Sequence, residues 1–140
     1  MSVYLDASVL VALFTNDPLT ARAETFLRAK SLVLIVSDFA AAEFSSVIAR
    51  HVRTKDIKKD DARIVFSNFD NWTARTTQRA PINAADIIAA EILLRRLDLA
   101  LRTPDAINIV MAQRIGATLV TFDKKMAAAA RSIGTLVAKA

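Results

Sequence analysis

The sequence has 140 residues, of which 54% are hydrophobic, enough to fill the core of one domain and to exclude a disordered chain. With no cysteine, one histidine, two glycines and three prolines, it excludes a disulfide framework and a thiolate metal site, and it leaves few hairpin turns for an all-β design. Nineteen Lys and Arg against fourteen Asp and Glu give a net charge of +5, a balance suited to a polyanionic partner or simply to solubility.

The first element expected in chain order is a strand over Val3-Tyr4-Leu5, ending at Asp6 and Ser8. Asp17-Pro18 signals a helix over Leu19 to Lys30, and the unbroken apolar run Leu32 to Val36 reads as a strand covered on both faces. Ser37 is placed to cap a helix that runs to Val52, and a second helical stretch covers Asp56 to Trp72. Thr76 to Ala80 reads as a polar edge strand closed by Pro81.

Asn83 caps the next helix, Ala84 to Leu97. It is apolar around much of its circumference, as expected of a helix that is buried or lies in an oligomer interface. Thr103-Pro104-Asp105 places a hydroxyl at N-cap, proline at N1 and an acid at N2 of a helix ending at Gly116. A strand over Ala117 to Phe122, a helix from Asp123 to Arg131 and a possible edge strand at Thr135 to Val137 complete the chain.

Strands alternating with helical crossovers imply an α/β three-layer sandwich: a mostly parallel central sheet of four to five strands with helices on both faces. The expected organisation is one domain over residues 1–140. No apolar run approaches the length of a membrane span, and the N-terminal stretch lacks a basic leader. Together with the absence of cysteine, this leads to an expected cytoplasmic location.

In such a sheet the carboxyl ends of the strands lie on one edge, which is where these folds bind ligands. Asp6, Asp105 and Asp123 all fall at strand ends or helix starts on that edge. Glu43 shares an inward helix face with Phe39, Ser46 and Val47. Each acid also has a purely structural explanation. Asp6 and Asp123 suit N-caps, Asp105 suits the first turn of a helix, and Glu43 has Arg50 as a candidate ion-pair partner.

Four convergent carboxylates would repel one another, by about 4 kcal/mol for a pair 4 Å apart at an effective dielectric of 20. A hard divalent cation relieves that repulsion. Mg²⁺ or Mn²⁺ suits an all-oxygen donor set better than zinc does. Ser8 is placed to support a site carboxylate or to serve as a turn hydroxyl. His51 reads as a solvated helix end facing away from the acids, and Trp72 as a packing residue.

These residues also carry a family resemblance. Val3-Tyr4-Leu5-Asp6-Ala7-Ser8, the Ala42-Glu43 helix, Arg102-Thr103-Pro104-Asp105-Ala106 and Leu119-Val120-Thr121-Phe122-Asp123 resemble PIN-domain ribonucleases, most closely VapC toxins of bacterial toxin-antitoxin pairs. The resemblance implies a metal-dependent endoribonuclease with Asp6, Glu43, Asp105 and Asp123 as its acidic catalytic and metal site, and with Ser8 and Thr103 as supporting hydroxyls. It further implies an RNA substrate, a homodimer and a small cognate antitoxin. Asn108 departs from the pattern, because many relatives carry histidine there; that bears on fine substrate contacts.

Two other functions fit parts of the pattern. A non-catalytic PIN-fold module would bind RNA or a partner without cutting it, but a phosphate binder gains nothing from clustered acids. A phosphoryl-accepting receiver domain also uses acids at strand ends. It is disfavoured because Asp56, Asp60 and Asp61 fall in a helical stretch rather than after a middle strand.

Overall fold

A computed structural model describes residues 1–29 and 31–140. Among these, four strands form one parallel sheet: β1 (Ser2–Leu5), β2 (Val33–Ser37), β3 (Thr77–Ala80) and β4 (Thr118–Val120), in the order β3-β2-β1-β4. Seven helices surround it: α1 (Ala7–Phe14), α2 (Thr20–Leu27), α3 (Asp38–Arg53), α4 (Lys59–Thr76), α5 (Ala84–Leu94), α6 (Thr103–Ile115) and α7 (Lys124–Ser132). The expected three-layer architecture is therefore present. The predicted helix over 19–30 forms over a shorter span, and its final residue, Lys30, lies outside the described residues.

The alternation of side chains along β1 divides the core in two. Val3 and Leu5 pack on one face with Val36, Phe44, Ile48 and Phe69, under α1 to α4. Tyr4 packs on the other with Ile35, Ile109, Met111 and Leu119, under α5 to α7. Aromatic side chains fill the first layer: Phe14 stands edge-on to Phe44, Phe69 and Trp72, and Phe44 stacks on Phe69 at 4.3 Å. Trp72 is a packing residue, as expected.

Further elements differ from the sequence reading. α4 starts at Lys59 and passes directly into β3, so no loop separates them. The last predicted strand is reduced to a parallel bridge between Leu119 and Val137, secured by Leu119 N–H donating to Leu136 O at 2.8 Å and Ala138 N–H to Leu119 O at 2.9 Å. α5 buries Ala90 and Leu93 but leaves Ile87, Ile88 and Ile92 exposed at 49, 58 and 64%. Of the two expectations for this helix, burial within the chain is excluded on that face.

Buried Asp86 joins α5 to α6. It receives Arg114 Nε at 2.6 Å and Nη2 at 2.9 Å, and completes a capping box with Asn83. The chain leaves β1 toward β2 on one side, while β4 joins β1 on the other. The crevice beyond the ends of β1 and β4 is thus the switch point of the sheet, the usual ligand position in such folds. No helix among the described residues is long and apolar enough to cross a membrane.

Candidate acidic site at the switch point

Asp6 follows β1 directly and is 3% exposed. It caps α1, with Oδ1 accepting from Val9 N–H at 3.3 Å. Two hydroxyls hold the same carboxylate: Ser8 donates to Oδ1 at 2.6 Å and Thr121 to Oδ2 at 2.5 Å. Each hydroxyl oxygen in turn accepts a backbone N–H from the turn after β4, Phe122 N–H on Ser8 at 2.9 Å and Asp123 N–H on Thr121 at 3.0 Å. The capping role and the site position therefore coexist in one side chain.

Burial raises the Asp6 carboxyl above its ordinary value, and the Ser8 and Thr121 hydrogen bonds offset only part of that.

Glu43 stands half-buried on α3 and receives Asn108 Nδ2 on Oε1 at 2.7 Å. Arg50, its candidate partner from sequence, forms no ion pair with it among the described residues. The Glu43 carboxyl is pushed up to about 7, first by burial, with the Asn108 hydrogen bond opposing and the charges of Asp6 and Asp105 adding to the rise. Asp6 and Asp105 therefore lie close enough to act on Glu43 electrostatically.

Asp105 is 5% exposed in the first turn of α6. The N-cap is Arg102, one residue earlier than the sequence reading placed it, so Thr103, Pro104 and Asp105 occupy N1, N2 and N3. The cause is Asp105 itself, which reaches back from N3 to accept Arg102 N–H at 2.9 Å. Thr103 is exposed at N1 and its hydroxyl forms no hydrogen bond among the described residues. The hydroxyl that supports the site from a distant element is Thr121, which the sequence reading passed over.

Asp123 caps α7, as expected, through Oδ1 to Lys125 N–H at 3.0 Å and Met126 N–H at 3.1 Å. It lines a groove of about 500 Å³ with Asp105, Arg102 and Lys125. A second groove, of about 430 Å³, places Asp123 with Ser8, Asp17, Arg50 and His51. His51 therefore shares a groove with two of the site residues instead of facing away. The spacing held the signal, since His51 is two helical turns beyond Glu43. A third groove, of about 450 Å³, sets Asp123 and Thr121 beside Arg22, Lys124, Arg131 and Lys139.

The donor set is all oxygen. Glu43 Oε2, Asp105 Oδ1 and Asp123 Oδ2 accept no hydrogen bond among the described residues, while Asp6 and Glu43 sit where burial disfavours their charge. Those features fit a hard divalent cation. No three histidine, cysteine or acidic side chains among the described residues are gathered tightly enough to hold an ion as they stand.

A model of the PIN domain matches residues 3–132. The chain belongs to the PIN domain family. Among solved structures, it is similar to the Mycobacterium tuberculosis toxin VapC20, described as cleaving the sarcin-ricin loop, at 16% identity and a TM-score of 0.76 over 99% of each chain.

VapBC2 from Rickettsia felis, bound to a promoter DNA fragment, is similar at 20% identity and a TM-score of 0.71, over 99% of this chain and 98% of that one. FitAcB from Neisseria gonorrhoeae is similar at 16% identity and a TM-score of 0.73, over 98% and 96%. No curated protein matches the chain. These likenesses support the PIN fold.

Proposed function

We propose that this PIN-domain chain is a Mg²⁺- or Mn²⁺-dependent endoribonuclease that hydrolyses RNA phosphodiester bonds as the toxin of a toxin-antitoxin pair. The observation that carries the reading is the withdrawal from water of two acids from different elements, Asp6 after β1 and Glu43 on α3, on the carboxyl edge of the sheet. Both carboxylates are held by specific hydrogen bonds in settings that oppose their ionisation, an arrangement costly to maintain without a cation. The structural likeness to VapC20 and to toxin-antitoxin complexes supports the toxin role and a small antitoxin partner.

Asp6, Glu43, Asp105 and Asp123 are the residues that would hold the ion. When bound, it would lower the pKa of a water molecule and offset charge developing on the phosphate. Ser8 and Thr121 keep the Asp6 carboxylate fixed, which limits reorganisation during the reaction. Arg22, Lys124, Arg131 and Lys139, in the groove next to Asp123, offer positive charge to the RNA backbone beside the acids. The exposed isoleucines of α5 support a homodimer through that face. The absence of cysteine suits a cytoplasmic setting.

The test is incubation of purified protein with cellular RNA and Mg²⁺. Wild type is expected to cleave, leaving 5′-phosphate ends, and Asp6→Ala and Asp105→Ala to be inactive. Undiminished cleavage by either variant would place the activity elsewhere. RNA binding that ignores Mg²⁺, without strand scission, would support a non-catalytic binding module instead.

A further inference from the structure

Tyr4 on β1, Ser37 at the end of β2, Glu43 on α3 and Asn108 on α6 are joined by hydrogen bonds that admit only one direction. Asn108 Nδ2 faces two acceptors, Glu43 Oε1 at 2.7 Å and Pro104 O at 3.0 Å, which use both amide protons. Asn108 Oδ1 is therefore the atom facing the Tyr4 hydroxyl at 2.6 Å, and because a carbonyl oxygen only accepts, Tyr4 donates. The Tyr4 oxygen in turn takes the proton of Ser37 Oγ at 2.7 Å, while Ser37 Oγ accepts Ala40 N–H at 2.9 Å as the α3 cap. Tyr4, Ser37 and Asn108 are all 0% exposed, so no water competes for these bonds.

We infer that Asn108, held in orientation by Tyr4, is a positioning residue that fixes Glu43 through Oε1 and leaves Oε2 as the oxygen available to a cation. The inference rests on the reading that the four acids hold a divalent ion. It gives Asn108 a role the sequence did not suggest, since its amide meets the acidic site itself and also the first turn of α6, which carries Asp105. Partners of this kind commonly set metal affinity by 10- to 100-fold through orientation alone. Among the described residues Tyr4 makes no hydrogen bond to the four acids, and Ser37 Oγ accepts Ala40 N–H as the α3 cap with or without the Tyr4 hydroxyl, so the effect of Tyr4 on the ion passes chiefly through Asn108.

The experiment is Mn²⁺ titration by calorimetry on wild type, Tyr4→Phe, Asn108→Leu and the double variant, with thermal melts confirming that each is folded. Asn108→Leu is expected to weaken Mn²⁺ binding about 10-fold. Tyr4→Phe is expected to weaken it by a smaller factor, and the double variant to bind no more weakly than Asn108→Leu, because the second change removes nothing further. RNA cleavage should lose kcat with KM unchanged.

If Asn108→Leu does not fold, Tyr4→Phe carries the test alone: weakened Mn²⁺ binding supports the inference. Variants that melt earlier yet bind Mn²⁺ like wild type would overturn it, as would independent, multiplying effects of the two changes. A wild type that binds no Mn²⁺ would overturn the ion-holding reading and this inference together, whereas a binding wild type with unaffected variants would overturn this inference alone.

Discussion

Thr121 donates a 2.5 Å hydrogen bond to Asp6 across 115 residues of sequence, tying the end of β4 to the end of β1. Its oxygen simultaneously accepts Asp123 N–H, so one hydroxyl fixes a carboxylate on one strand end and the backbone that presents another acid beside it. Ser8 mirrors this from the other side, donating to Asp6 and accepting Phe122 N–H.

Replacing Thr121 by Val keeps the shape and removes the hydroxyl, leaving a buried Asp6 oxygen and a backbone N–H without their partner. The expected loss of stability is about 2 kcal/mol. Thr103→Val, at an exposed residue whose hydroxyl makes no such bond, is expected to change stability by no more than about 0.5 kcal/mol. Chemical denaturation of both variants checks the contrast, and equal effects would show that Thr121 has no special part in the site.

The raised carboxyls predict how stability depends on pH. Glu43, pushed up to about 7 from 4.5, and Asp6, raised in the same direction, hold protons more tightly folded than unfolded. Their stabilising effect is full below the unfolded value and is lost as pH rises through the folded one. The metal-free protein should therefore melt at lower temperature at about pH 8 than at about pH 5. Glu43→Gln should flatten that slope, and Mg²⁺ should oppose it by binding the ionised acids. A melting temperature that climbs across this interval would contradict the assignment.

Much of this arrangement was legible in the sequence because caps and strand ends leave local signatures. Ser37, Asn83 and Asp123 cap the helices expected of them, and the positions of β1, β2 and β4 along the chain follow from their apolar runs. Thr121 was not legible as a partner of Asp6, because register between β1 and β4 is set by tertiary packing and a threonine in a strand is ordinary. Asn108 stood out only as a departure from a pattern. Its contact with Glu43 joins helices on opposite faces of the sheet across its carboxyl edge, which no local spacing records. α5 reads as a helix that is buried or in an oligomer interface because it is apolar all round, and within the chain it packs on α6 with only the face that carries Ala90 and Leu93.

That uncovered face gives a prediction about assembly. Ile88→Glu, at a side chain 58% exposed, should leave the fold intact and shift a dimer toward monomer in sedimentation analysis. An identical sedimentation profile for wild type and variant would remove α5 from any interface.

The basic groove predicts the salt dependence of RNA binding. Arg131→Ala and Lys124→Ala should each reduce the slope of log affinity against log salt by about 0.7, the increment for one phosphate contact on a single strand. Arg95→Ala, which disrupts an exposed pair with Glu91 on α5, should leave the slope unchanged. Equal slopes for all three variants would move the RNA path away from this groove.

The central claim is that Asp6, Glu43, Asp105 and Asp123 jointly hold a divalent cation. Anomalous diffraction from crystals soaked in Mn²⁺ addresses it most directly. A manganese peak bounded by these four carboxylates is the expected result. A fully exchanged crystal with no peak there, or with manganese bound only at other acids, would contradict the account.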